Sequence, residues 1–153
     1  MPNTYTQLYI QAVFAVKYRN ALIKKHFQKE LFAVIGNLIN ETGCSTIIVN
    51  GVEDHVHCLF RLKATVSLSE VMKSVKAKSS KWINEKEFLD ERFEWQRGFG
   101  GFTYHSSMVQ KIFHYIERQE EHHRSESFKT EYHKTLTEFN VEYNEEYWFE
   151  DLI

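Results

Sequence analysis

The stretch GVEDHVHCLFRL, residues 51–62, decides the fold and raises the first question about function. Alternate side chains of a strand share a face, so His55, His57, Leu59 and Arg61 point one way. Val56, Cys58, Phe60 and Leu62 point the other, and that wholly apolar set must meet a core. Both imidazoles therefore look away from it. Two strand positions span roughly 6.6 Å of rise, a spacing at which two imidazoles can converge on one metal ion. An H-x-H triplet also arises by chance in a chain with 8 histidines, so the pair needs partners from elsewhere.

Outward from this strand, residues 4–16 (TYTQLYIQAVFAV) mix alternation with β-branched and aromatic residues and read as another strand. Residues 24–43 carry Phe27, Leu31, Val34, Ile35, Leu38 and Ile39 at helical spacing, with Gly43 as the stop. STIIVNG (45–51) is a short strand ending at the turn-prone pair Asn50-Gly51. Residues 67–86 form a second helix, opened by Ser67 with Glu70 three positions on, a capping box. FEWQRGFGGFTY (93–104) is a glycine-broken strand or β-loop, and residues 106–123 and 127–140 are two further helices. The tail 141–153 reads as packed irregular structure. The order βαββαβ predicts an α+β fold: a ferredoxin-like split-βαβ antiparallel sheet with helices on one face and C-terminal helices appended. Residues 1–153 are expected to form a single domain.

Composition narrows the function classes. Apolar residues make up 42% and charged residues 26% of the 153, ordinary values for a globular protein. The 19 basic and 21 acidic residues leave a net charge of -2, so nucleic-acid binding would rest on local clustering. Such clustering exists on the second helix, where Lys73, Lys76, Lys78 and Lys81 crowd around Ser79 and Ser80. Lysines there either form a solvated helix face or hold phosphates. Trp82 and Trp95 could stack unpaired bases, although core packing is the better reading for at least one. Cys44 and Cys58 are not in a metal-spaced pair, and Cys58 reads as a buried thiol. Without a leader or an apolar run of membrane length, a reduced cytoplasmic setting and no membrane partner are expected.

The third helix supplies partners for the histidines. Val109, Ile112, Phe113 and Ile116 form its apolar stripe. At roughly 100° per residue, Tyr115 and Gln119 fall on the same rim of that stripe, one turn apart. A tyrosine hydroxyl and an amide oxygen can thus face one site, though a tyrosine that merely packs with a wet hydroxyl is commoner. His123 falls near the stripe and reads as structural rather than as a ligand.

In order and at similar spacing, DHVHCLF, KSVKAKSSKWIN, WQRGFGGFTYHSS and YIERQEEHH resemble the single-tyrosine HUH transposases of the smallest insertion sequences. The resemblance covers nearly the whole chain and implies that His55 and His57 match the family's metal-binding pair. It implies Gln119 as third metal ligand and Tyr115 as nucleophile. The implied activity is cleavage and rejoining of single-stranded DNA through a covalent 5′-phosphotyrosine, with hairpins recognised near the element ends. Homodimers in which one subunit's tyrosine helix completes the other's site are implied too. A tyrosine, pKa about 10, is a weak nucleophile at neutral pH, so a divalent ion on the scissile phosphate suits the reaction. Mixed nitrogen and oxygen donors fit Mn²⁺ well and Mg²⁺ less readily, and structural zinc poorly. The alternative is a domesticated relative that binds DNA hairpins without transposing.

Overall fold

The computed structural model describes residues 3–121 and 128–139. Along the chain run β1 (Tyr9–Ala15), α1 (Lys25–Glu41), β2 (Ser45–Gly51), β3 (His55–Arg61), α2 (Leu68–Glu85), β4 (Gly100–Tyr104), α3 (Val109–Glu117) and α4 (Phe128–Glu138). The strands form one sheet in the order β2-β3-β1-β4, with every neighbouring pair antiparallel. That is the split-βαβ arrangement expected from the element order. It makes β3, the histidine strand, one of the two central strands.

Period two divides the sheet into two chemically different faces. On the rear, Val56, Cys58 and Phe60 of β3 join Ile10, Ala12 and Phe14 of β1. Phe27, Leu31 and Ile35 of α1 and Val71, Met72 and Val75 of α2 close over them as the main core. Fully burying side chains of this size contributes about 1.5–3 kcal/mol each. Register pairs Val13 with His57 and Ala15 with His55, so Gln11, Val13 and Ala15 share the histidine face. That front face is covered as well. α3 packs over β2 and β3, and α4 seals the β1–β4 side through Leu136 against Val13, Ala15 and Phe102. Gly100 permits this approach, because a Cβ there would strike the Tyr132 hydroxyl. The histidine strand is therefore buried on both faces, not half-buried.

Local signals behave largely as their chemistry dictates. Ser67 Oγ accepts from the Glu70 amide at 3.1 Å, the N-cap bond of the expected capping box, and donates to the Glu70 carboxylate at 3.1 Å. Trp95 is core: it meets Phe14 and Phe93 edge-on, and its Nε1 donates to Ser79 Oγ at 2.9 Å. Trp82 is half-buried beside Phe88. Both cysteines are free and buried, and burial pushes the Cys58 thiol up. No helix among the described residues is long and apolar enough to cross a membrane.

The glycine-broken strand or β-loop expected over 93–104 takes the form of an isolated bridge from Trp95 to Val16 followed by the strand β4. Gly98, at φ 79°, turns the chain between the two. The single helix read over 106–123 is divided: a 3-10 turn Ser106–Met108 precedes α3, and Arg118 (φ -98°, ψ 24°) breaks it before helical geometry resumes at 119–121. His122, His123 and the tail segment 141–153 lie outside the described residues.

Candidate active site

The β2–β3 turn sets the first donor. Gly51 accepts a tight turn in which a Cβ would collide with the His55 carbonyl. The turn is pinned from outside: Val16 N donates to Asp54 O at 2.8 Å, and Ile23 N to Glu53 O at 2.9 Å. Asp54 is thereby fixed beside the ring that follows it, and its Oδ1 lies 2.8 Å from His55 Nδ1. Two residues on, His57 Nδ1 meets Gln11 Oε1 at 2.7 Å, and Gln11 Nε2 donates to the Tyr104 hydroxyl at 2.7 Å. Burial pushes Tyr104 up to about 12, against the opposing effect of that hydrogen bond, so it stays a neutral phenol.

With an acceptor facing each Nδ1, both rings turn Nε2 toward a common point. His55 is fully buried, and the two ring centroids lie 5.1 Å apart. Gln119 Oε1 stands 3.3 Å from His55 Nε2. The remaining donor comes from α4, where Glu131 is 4% exposed. Its Oε1 is 3.3 Å from His57 Nε2 and 3.7 Å from His55 Nε2. Its Oε2 accepts from the Tyr115 hydroxyl and, at 3.4 Å, from Gln119 Nε2. One carboxylate thus touches both histidines, the tyrosine and the glutamine.

The donor set fits a divalent cation. One ligand atom each from His55, His57 and Glu131 lies within 4.8 Å of the others, and all three residues are buried. Metal-bound imidazoles ordinarily give their other nitrogen to a carboxylate or carbonyl, the role Asp54 and Gln11 fill. Two imidazole nitrogens and a carboxylate suit a first-row divalent ion, and the carboxylate suits Mg²⁺ or Mn²⁺.

Sequence reasoning named His55, His57, Tyr115 and Gln119, and the structure brings all four together. Tyr115 and Gln119 converge despite the break at Arg118, because Asn50 Nδ2 on β2 donates to the carbonyls of Ile116 (2.9 Å) and Glu117 (3.1 Å). That bond ties the end of α3 to the sheet. Glu131, Gln11 and Asp54 were missed. Gln11 had a readable signal, a lone amide inside an otherwise apolar strand. Glu131 had a weaker one, an acid beside the apolar stripe of α4.

The four lysines lie elsewhere. α2 packs on the rear face, so Lys73, Lys76, Lys78 and Lys81 are across the sheet from the histidines. Lys73 and Lys78 are exposed, and Lys81 pairs loosely with Glu85 at 3.7 Å. Lys76 turns inward, its Nζ donating to the carbonyls of Gln96 and Gly98 at 2.7 Å each. Partial burial pulls its pKa down to about 8.

A family model described as "Transposase IS200 like" matches residues 4–119. The chain belongs to that family. IS200-like transposases are DNA-processing proteins, and two solved structures share this fold. A Deinococcus radiodurans R1 protein provisionally assigned as a transposase superposes with a TM-score of 0.64 at 18% identity, covering 78% of this chain and 95% of that one. A REP-associated tyrosine transposase bound to a REP hairpin gives a TM-score of 0.53 at 13% identity, covering 76% of this chain and 67% of that one. No curated protein matches the sequence.

Proposed function

We propose that this IS200-like transposase cleaves and rejoins single-stranded DNA at the ends of an insertion sequence, with Tyr115 as the nucleophile. The observation that carries the reading is the contact of the Tyr115 hydroxyl with Glu131, the same carboxylate that faces His55 and His57. A packing tyrosine has no reason to end beside a buried metal-type donor set.

His55 and His57, with oxygen donors from Gln119 and Glu131, would hold Mg²⁺ or Mn²⁺. Bound there, the ion supplies charge neutralisation and orientation at the scissile phosphate. Tyr115 attacks phosphorus, its proton passing to Glu131 Oε2, which already accepts from the hydroxyl. The bond to the 3′-oxygen breaks, leaving a 5′-phosphotyrosine and a strand that ends, after protonation by water, in a 3′-hydroxyl. Phosphodiester energy is conserved in the tyrosine ester. A second 3′-hydroxyl can therefore attack it, release Tyr115 and join the strands without a nucleotide cofactor.

The reading extends to partners. Hairpin recognition is inferred by analogy with the hairpin-bound relative, with the exposed Lys73, Lys78 and Lys81 holding phosphates behind the sheet, away from the cut. A homodimer and a cytoplasmic setting belong to the same proposal. β2 and β4 are the sheet's edges among the described residues and are open to pairing. A single chain assembles His55, His57, Tyr115 and Glu131 by itself, so cleavage by Tyr115 of the same subunit is sterically available.

The test is a labelled single-stranded oligonucleotide carrying an element-end hairpin, incubated with the protein and Mn²⁺ or Mg²⁺. A denaturant-resistant adduct is expected, and its yield should fall at least about a thousandfold in Tyr115→Phe. Chelator and His55→Ala should also abolish it. Cleavage that persists in Tyr115→Phe would reassign the attack to water. Hairpin binding with no cleavage under any metal would favour a DNA-binding relative without transposition.

A further inference from the structure

We infer that Glu131 is a direct, anionic ligand of the metal site and that ion binding is therefore coupled to the docking of α4. The inference rests on the reading of the site as a divalent metal centre. Glu131 lies beyond the residues 4–119 that match the family model, on a helix separate from the one bearing Tyr115.

Three observations carry it. The first is geometric: Glu131 Oε1 faces both imidazole Nε2 atoms, at 3.3 and 3.7 Å. These are separations that donors on one ion adopt when each bond is roughly 2.0–2.2 Å long. The second is chemical. His55 and His57 donate as neutral imidazoles, and Gln119 offers a neutral amide. Among the described residues, Glu131 is the one carboxylate that faces both imidazole Nε2 atoms, and hard divalent ions favour carboxylate oxygen. Gln119 Nε2, 3.4 Å from Glu131 Oε2, then serves to aim the carboxylate.

The third is architectural. Among the described residues, the buried apolar contact of α4 is made by Leu136 with Val13, Ala15 and Phe102, a cluster separate from the main core. A coordinating carboxylate on α4 links ion binding to the docked position of that helix. α4 also forms one wall of a groove of about 640 Å³ that runs past Gln11, Tyr104, Met108 and Lys111 to Tyr115. Ion binding would consequently fix both the aim of Tyr115 and the shape of the groove leading to it.

The experiment titrates the full chain with Mn²⁺ in the absence of DNA, reading bound ion by electron paramagnetic resonance and amide exchange over residues 130–139. Wild type should bind one ion in a manner abolished by His55→Ala. At ten times Kd, exchange in α4 should slow by roughly tenfold. Glu131→Gln, which preserves shape and hydrogen bonding, should weaken Mn²⁺ binding at least tenfold, the scale of a lost coordinating partner, and remove the slowing. Glu131→Asp should recover part of both. Wild-type affinity in Glu131→Gln, or α4 exchange indifferent to Mn²⁺, would overturn the inference while leaving the metal site standing. Mn²⁺ binding that ignored His55→Ala would instead overturn the reading of the site itself.

Discussion

The two faces of β3 are built from one seven-residue strand and do opposite things. Behind it, Val56, Cys58 and Phe60 enter a core built chiefly of apolar side chains, most of them from β1, α1 and α2. In front, His55 and His57 are just as deeply buried, but among Gln11, Gln119 and Glu131. Burial alone thus fails to distinguish a packing face from a reactive one. The distinction lies in what is buried, since polar groups withdrawn from water must be matched by hydrogen bonds or ions. The rear face carries the stability that lets the front face hold a polar cluster.

The comparison breaks most visibly under large truncations. Phe60→Ala, opening a cavity in the rear core, should cost about 3–5 kcal/mol in chemical denaturation. His57→Ala should cost less than about 2 kcal/mol and yet abolish Mn²⁺ binding and adduct formation. Equal stability losses at the two positions would mean that the front face is core too, and that its histidines are structural.

A smaller change sharpens the same division. Gln11→Leu keeps the volume of the side chain but removes the acceptor from His57 Nδ1 and the donor to Tyr104. Mn²⁺ affinity should fall by roughly 10–100-fold, the usual consequence of losing a partner that orients a ligand. Stability should change little. An affinity within twofold of wild type would show that His57 needs no such support.

These contrasts also explain what could be read in advance. Period two alone was enough to separate Val56 and Phe60 from His55 and His57, and the order of periodic segments was enough for the sheet order. The front cover was not legible in the same way. α3 is amphipathic over Val109–Glu117, but its end at Arg118 depends on Asn50 reaching from β2, a bond between residues 66 and 67 positions apart. Glu131 escaped for a related reason. Its partners lie on β3 and α3, and a carboxylate in a polar helix such as FKTEYHKTLTE looks like any solvated acid until the helix docks. The lysines of α2 illustrate the reverse error: equal in sequence, they divide in the fold, where one turns inward to hold a loop.

That inward lysine yields the smallest effect. Lys76 Nζ spans the carbonyls of Gln96 and Gly98, and its pKa falls from the usual 10.5 to about 8 because burial penalises the ammonium. Between those two values the unfolded chain holds a proton that the native chain has released. Stability should therefore rise with pH across that window, and the contribution should be lost as pH falls through about 8. The side chain is only partly buried, so screening limits the gain to under about 1 kcal/mol. Urea unfolding of wild type and Lys76→Met at both ends of the window isolates it. Tyr104 and Tyr132, both pushed up to about 12 by burial, lose native stability above the ordinary tyrosine range equally in the two proteins. The salt dependence of DNA binding supplies the matching contrast. Replacing Lys73 or Lys78 should reduce its slope by about one, as for a lost phosphate contact, whereas Lys76→Met should leave it unchanged. A slope that fell with Lys76→Met would mean that the ammonium leaves its carbonyls for phosphate when DNA binds.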